Sequence, residues 1–281
     1  MVRILLLALA AWLLTACEKP LLGDAAADNV VLSFMPTATT RADLGSYFSK
    51  LNVQVFADDG SKVFSTVRTQ TASDDHFGTL SVRLAEGTYT VVAVGHSSAV
   101  SATIKSTTAC QFTASDGEKL TDTFCCCQQI TIGDASAEFA MPMYRATAMV
   151  QFCLTDSVVP DNFSHFLIEY TGGSANFNPS TLEGITKSTQ SERRTTNGIH
   201  TYQVFTFPYL AATGTLKMTC TALDVDGNTI RQRTFDAVPV TRNRITTYNG
   251  TFFLDGDGQF TQSDFGFVVH ADWDGEDFYT F

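Results

Sequence analysis

Beyond residue 28, apolar residues alternate with polar ones in short runs, and turn-forming residues break the runs at regular intervals. Asn29 to Met35 carries apolar side chains at tight spacing, and Leu51 to Ala57 alternates strictly. Asp58-Asp59-Gly60 follows, then Lys62 to Val67, a pattern that predicts a hairpin. Thr79 to Leu84 alternates again, Glu86-Gly87 is a turn, and Thr88 to Val94 is rich in β-branched residues. A second series comprises Ala146 to Leu154, Phe163 to Tyr170, His200 to Phe207, Gly214 to Leu223 and Thr229 to Phe235. Asp224 to Asn228 makes a further turn, and the last predicted strands are Ile245 to Phe253 and Phe265 to Val269. No window longer than two turns holds a helical period; one short helix is predicted over Ala42 to Lys50, where Leu44 and Phe48 sit four apart. Ser97 to Asp134 is polar and irregular and reads as long loops, and Gly172 to Asn197, with Arg193 and Arg194, reads as an exposed excursion. A boundary falls near Pro142 to Arg145, where the pattern restarts. The expectation is an all-β chain of two tandem β-sandwich domains, residues 28–144 and 145–281.

The first residues follow a different pattern. Arg3 is a short positive region, Ile4 to Leu14 is almost wholly apolar, and Leu14-Thr15-Ala16-Cys17 follows. The apolar run is about half the roughly 20 residues that span a bilayer as a helix. It reads as a signal peptide over residues 1–16, with a small residue directly before the cysteine, as in a bacterial lipoprotein. Cys17 is then the lipidation site and the mature N-terminus, and residues 17–27 form a tether. Several acyl chains, palmitate among them, give the stable attachment that one chain does not. An ordinary secretory signal with an incidental cysteine is the alternative.

Charge narrows the partners. A formal net charge of −11 and a pI near 4.7 exclude nucleic acid, which needs clustered Lys and Arg. An anionic membrane surface also repels the folded part, so lipid must supply the attachment.

Candidate chemistry is sparse. Beside Cys17 the cysteines are Cys110, Cys125, Cys126, Cys127, Cys153 and Cys220. Export permits disulfides, with connectivity left open and a bridge from Cys110 to the triplet among the options. Adjacent residues on a strand point to opposite faces, so Cys125, Cys126 and Cys127 cannot converge on one metal ion. Gly95-His96-Ser97-Ser98-Ala99 lacks the second glycine of a nucleophile elbow. The five histidines, His76, His96, His165, His200 and His270, form no HExxH. Asp255-Gly-Asp257-Gly258 starts like a calcium loop, but Phe260 and Gly266 stand where Gly and Glu are required. The expectation is no catalytic residue, no metal and no cofactor.

Four segments together resemble one family. They are the box at Cys17; Gly87-Thr-Tyr-Thr-Val-Val-Ala-Val-Gly95; Met143-Tyr-Arg145-Ala-Thr-Ala-Met-Val-Gln-Phe152; and Val238-Pro-Val-Thr-Arg-Asn243-Arg-Ile-Thr-Thr-Tyr-Asn-Gly250. In this order they are similar to the lipoprotein subunits of Bacteroidales-type (type V) fimbriae, especially anchor or accessory subunits. The resemblance implies two transthyretin-like sandwiches, no enzymatic activity, other fimbrial subunits as partners, and assembly by β-strand exchange. It implies proteolytic maturation after Arg41 in polymerising subunits; without the cut the subunit stays lipid-anchored, and with it the chain is a stalk or tip subunit. The strand-exchange candidates are Phe265, Phe267 and Val269, with Phe278 and Phe281 extending the apolar tail. Completion of the second domain's own sheet is the alternative for that segment. A surface glycan-binding lipoprotein is the competing class; it needs exposed aromatic platforms, and the two tryptophans are Trp12, in the leader, and Trp273.

Overall fold

The computed structural model describes residues 28–37, 44–112, 120–196, 198, 200–253 and 273–280. Cys17, Arg41, Phe265, Phe267, Val269 and Phe281 lie outside them. The chain is all-β, two β-sandwiches in series. The first half contains β1 (Val30–Pro36), β2 (Lys50–Ala57), β3 (Arg68–Thr71), β4 (Thr79–Val82), β5 (Gly87–His96), β6 (Ala102–Ser106), β7 (Ala109–Phe112), β8 (Phe124–Ile132) and β9 (Ala137–Arg145). The second contains β10 (Ala148–Leu154), β11 (His165–Thr171), β12 (Gly173–Ser174), β13 (Asn176–Asn178), β14 (Glu183–Gly184) and β15 (Gln190–Thr195). It continues with β16 (Thr201–Pro208), β17 (Thr213–Leu223), β18 (Thr229–Thr241), β19 (Arg244–Gly250) and β20 (Gly275–Thr280).

The first sandwich is a sheet bent back on itself, in the order β3-β2-β5-β8-β9-β1-β4. The fold occurs at β9, whose last residues pair with β8 while the rest runs parallel to β1. Val30, Leu32 and Phe34 alternate inward and meet Leu51, Val53, Val55 and Val91 in one core. The second sandwich packs β12-β16-β10-β19-β20 against β15-β11-β17-β18. Its core holds Phe152, Phe166, Tyr170, Met218 and Phe235. Among the described residues, no helix is long and apolar enough to cross a membrane.

A third apolar cluster and a small sheet draw on both halves. The sheet runs β14-β13-β7-β6, with β13 of the second half pairing with β7 of the first, Phe177 opposite Cys110. Over it, Phe207 stacks on Phe177 at 4.4 Å and on Phe112 at 6.2 Å. This cluster explains two departures from the sequence pattern. Ser97 to Asp134, read as loops, contains β6, β7 and β8, and β8 is paired to β5 along its whole length. Gly172 to Asn197, read as an exposed excursion, contains β12 to β15, with Phe177 fully buried. Within these segments β6, β7, β13 and β14 close the contact between halves, which one half's periodicity does not display, while β8 and β15 pair inside their own halves.

The strict alternation of β2 is satisfied inside the first half. Its polar face is not solvated: Asn52 and Gln54 are buried. Gln54 donates to the Phe64 carbonyl at 3.0 Å and accepts from the Phe64 amide at 3.3 Å. That carboxamide takes the place of a ladder partner, so Lys62 to Val67 makes only the bridge Phe56–Lys62, and β3 becomes the hairpin strand instead. The expected helix over 42–50 is a single 3-10 turn, Leu44–Ser46, although Phe48 does point into the core. Gly95 is fixed by that ring: a Cβ there would stand 2.6 Å from Phe48.

Candidate functional site

The residues that join the halves form one cluster. β9 alternates inward through Met141, Met143 and Arg145, so its final inward position carries a guanidinium at the edge of the core. A buried guanidinium requires acceptors. Asp122, just before β8, supplies both carboxylate oxygens, receiving Nε at 2.9 and 3.0 Å. Asn243 Oδ1 accepts from Nη1 at 2.9 Å. The guanidinium also lies 4.6 Å from the Phe124 ring centroid and 3.9 Å from that of Trp273. Trp273 is therefore engaged with Arg145 and half-buried, which does not suit the exposed platform of a glycan-binding surface.

Only Ala146 and Thr147, both fully buried, separate β9 from β10. The Ala146 amide donates to Thr123 O at 2.8 Å, and Thr147 Oγ1 donates to Asp122 at 3.2 Å. Asn243 sits in the β18–β19 turn at φ 59°, a left-handed conformation that Asn tolerates. Its amide donates to Thr147 O, and its carbonyl accepts from Asp274 N, both at 2.9 Å. Burial pushes the Asp122 carboxyl above its ordinary value, while the Arg145 guanidinium and Thr147 pull it back down. Two segments picked out separately in the sequence, around Arg145 and around Asn243, thus touch. Asp122 carries no sequence signal; it stands in the stretch read as loop.

The tail lies beside this cluster. β20 pairs parallel with β19 from Arg244–Gly275 to Asn249–Thr280 and forms the edge of the five-stranded sheet. Arg244 holds Asp277 at 2.8 Å, Thr247 donates to Glu276, and Tyr279 stacks on Tyr248 at 4.9 Å. Phe278, a candidate for strand exchange, is half-buried opposite Thr247 in the chain's own sheet.

The remaining candidate chemistry is dispersed. Cys126 faces the first core, while Cys125 and Cys127 face the interdomain cluster, as strand alternation requires. All six described thiols are free, and burial raises each of them. Among the described residues no group of three His, Cys, Asp or Glu is placed to hold a metal.

His96, fully buried, pairs Nε2 with Asn52 Oδ1 at 2.8 Å, and its Nδ1 has no partner among the described residues. Burial first, and Lys50 second, lower its pKa to about 4. It stays neutral in the folded chain but takes a proton near pH 6.5 when unfolded. Stability is therefore full above pH 6.5 and is lost as pH falls towards 4, by up to about 3 kcal/mol. Urea midpoints of wild type and His96→Gln between pH 7 and 4 check this. The wild type should lose more stability than the variant; equal losses would exclude His96 as the source.

Comparison with known proteins gives the following. The family model described as fimbrillin-A associated anchor proteins Mfa1 and Mfa2 matches residues 21–277. Two solved structures share the fold at 12% identity. One is a candidate adhesin from Bacteroides ovatus, with TM-score 0.51, covering 75% of this chain and 78% of its own. The other is a candidate polysaccharide-binding protein from Bacteroides thetaiotaomicron, with TM-score 0.50, covering 72% and 78%. The fimbrial anchor protein Mfa2 from Porphyromonas gingivalis aligns at TM-score 0.42 and 14% identity, over 73% of this chain and 80% of its own. The search of curated proteins gives no match.

Proposed function

This chain belongs to the family of fimbrillin-A associated anchor proteins, and from that premise we propose that it is the lipid-anchored anchor or accessory subunit of a fimbrium. In this reading it is not an enzyme. Cys17 carries the lipid that holds it on the outer membrane, exposed at the surface, and neighbouring pilins join it by strand exchange. The observation that carries the reading is the family match, which spans nearly the whole chain after the leader. The domains proposed are 28–144 and 145–281.

The fate of β1 favours the anchor over a stalk or tip subunit. A cut after Arg41 would take away β1, and with it Val30, Leu32 and Phe34, each no more than 2% exposed. β1 pairs on both sides, with β9 and β4. A subunit retained at the membrane keeps that strand, and its core stays closed. The tail is the proposed docking strand: β20 sits at a sheet edge, where strand addition requires no rearrangement of the interior.

Cys17→Ala is expected to release the protein from the membrane fraction, because no other segment is offered to hold it. Fractionation after a salt wash, with N-terminal analysis of the mature surface protein, checks this. A variant that still pellets with outer membranes sinks the lipid anchor. A mature terminus at Ala42 sinks the anchor role in favour of a stalk or tip subunit.

A further inference from the structure

In both halves the strand where the chain enters runs parallel to the strand where it leaves. The first half is entered at the N-terminal end of β1 and left at the C-terminal end of β9, and these two pair in parallel over seven residues, Val30–Ala137 to Pro36–Met143. The second half is entered at β10. That strand pairs in parallel with β19 over six residues, and β19 pairs in parallel with the tail strand β20 over six more. Parallel neighbours joined this way have their free ends at opposite ends of the ladder. A pull on the two chain ends therefore slides the strands along each other. Every hydrogen bond of the ladder is strained at once, and none yields until most do.

Antiparallel neighbours behave differently when pulled from the same end. β1 and β4 pair with Val30 opposite Val82, so the start of β1 lies beside the end of β4. Pulling there opens the ladder one bond at a time.

The covalent path between the halves crosses Ala146 and Thr147, and the Arg145 cluster closes over that crossing. Arg145 on β9, Asp122 before β8 and Asn243 before β19 are hydrogen-bonded together, and Asn243 holds Thr147 by backbone. The ladders of the two halves are thus coupled at the point where the chain passes from one to the other.

We infer that the chain is built to carry tension between its two ends, through parallel ladders loaded in shear and an Arg145–Asp122–Asn243 clasp at the crossing between them. The inference rests on the anchor reading above, in which the membrane holds one end and the fimbrium pulls on the other.

Single-molecule force spectroscopy on the chain carrying Glu86→Cys tests it with two attachment geometries. Glu86 is an exposed bend residue just past β4, and the other described thiols are buried or half-buried with raised pKa values, so attachment goes to the new one. Pulling between the two chain ends should give unfolding forces shifted above those obtained by pulling between the N-terminal end and position 86. Overlapping force distributions would overturn the inference. That failure would leave membrane attachment through Cys17 unaffected, since the fractionation of Cys17→Ala reads a different property.

Discussion

Arg145→Leu is expected to lower the stability of the chain by about 3 kcal/mol at pH 7, the lower end of the cost of breaking a buried ion pair by removing one partner. The Arg145 side chain is 4% exposed and that of Asp122 is 23% exposed, so solvent relieves some of the penalty on the carboxylate left behind. The loss has three physical parts. Asp122 loses a two-oxygen partner, Asn243 loses the donor to its side-chain oxygen, and the rings of Phe124 and Trp273 lose the planar cation against them. Lysine should not rescue, because a single ammonium cannot span the carboxylate and Asn243 while lying flat on an aromatic ring. The effect also has a pH signature. In the variant the guanidinium no longer opposes the burial that already pushes Asp122 up, and the hydrogen bonds from Thr147 and the Thr123 amide remain against it, so its folded pKa rises further above the unfolded value near 4. A raised carboxyl is best tolerated when protonated, so the destabilisation should shrink as pH falls to about 4. Urea unfolding of wild type, Arg145→Leu and Arg145→Lys at pH 7 and pH 4 measures all of this. A loss below about 1 kcal/mol at pH 7, the level of an exposed pair, would show that the cluster is only surface decoration.

What could be read from the sequence follows from how local each signal is. Alternation within one strand located β1, β2, β4, β5, β10, β11, β16, β17 and the start of β18 to within a few residues. The turn residues were equally plain, since Asp59 and Asp224 bond to backbone amides two to four positions away. The failures come from tertiary packing, partly between the halves and partly inside one of them. Cys125 and Cys126 looked like part of a polar loop because the residues around them are Ser and Thr, yet both are buried, facing two different cores. Glu192 and Gln190 looked solvated and are buried. Glu192 accepts from Tyr170 and Arg194, partners 22 and two residues away. Arg145 and Asn243 were each visible as members of a motif, but their hydrogen bond spans 98 residues and has no local trace. Asp122, the third member, was invisible for the same reason.

Phe207→Ala is expected to cost about 4 kcal/mol, within the range for emptying a buried aromatic site. Phe207 is fully buried and stacks on Phe177 of β13 and Phe112 of β7, so the cavity would open between the halves rather than inside either core. Neighbours are poorly placed to fill it. Ser174 pairs with Phe207 across the β12–β16 ladder, and Gly184 already approaches the Phe207 carbonyl so closely that a Cβ would stand 2.7 Å away. Backbone this tightly packed cannot collapse inward, which keeps the cavity term high. The consequence should reach beyond stability, because the cluster around Phe207 and the β13–β7 pairing draw on both halves and are expected to make the two sandwiches unfold together. Without the leader, Trp273 is the one tryptophan, and it lies against Arg145. Its fluorescence therefore follows the junction and tail, while far-ultraviolet circular dichroism follows every strand. In wild type the two urea transitions should coincide, as one cooperative unit requires. In Phe207→Ala the midpoints should fall and separate. A variant that loses the stability but keeps coincident transitions would assign the coupling to the Arg145 clasp alone; one that loses neither would remove the interdomain cluster from any part in holding the halves together.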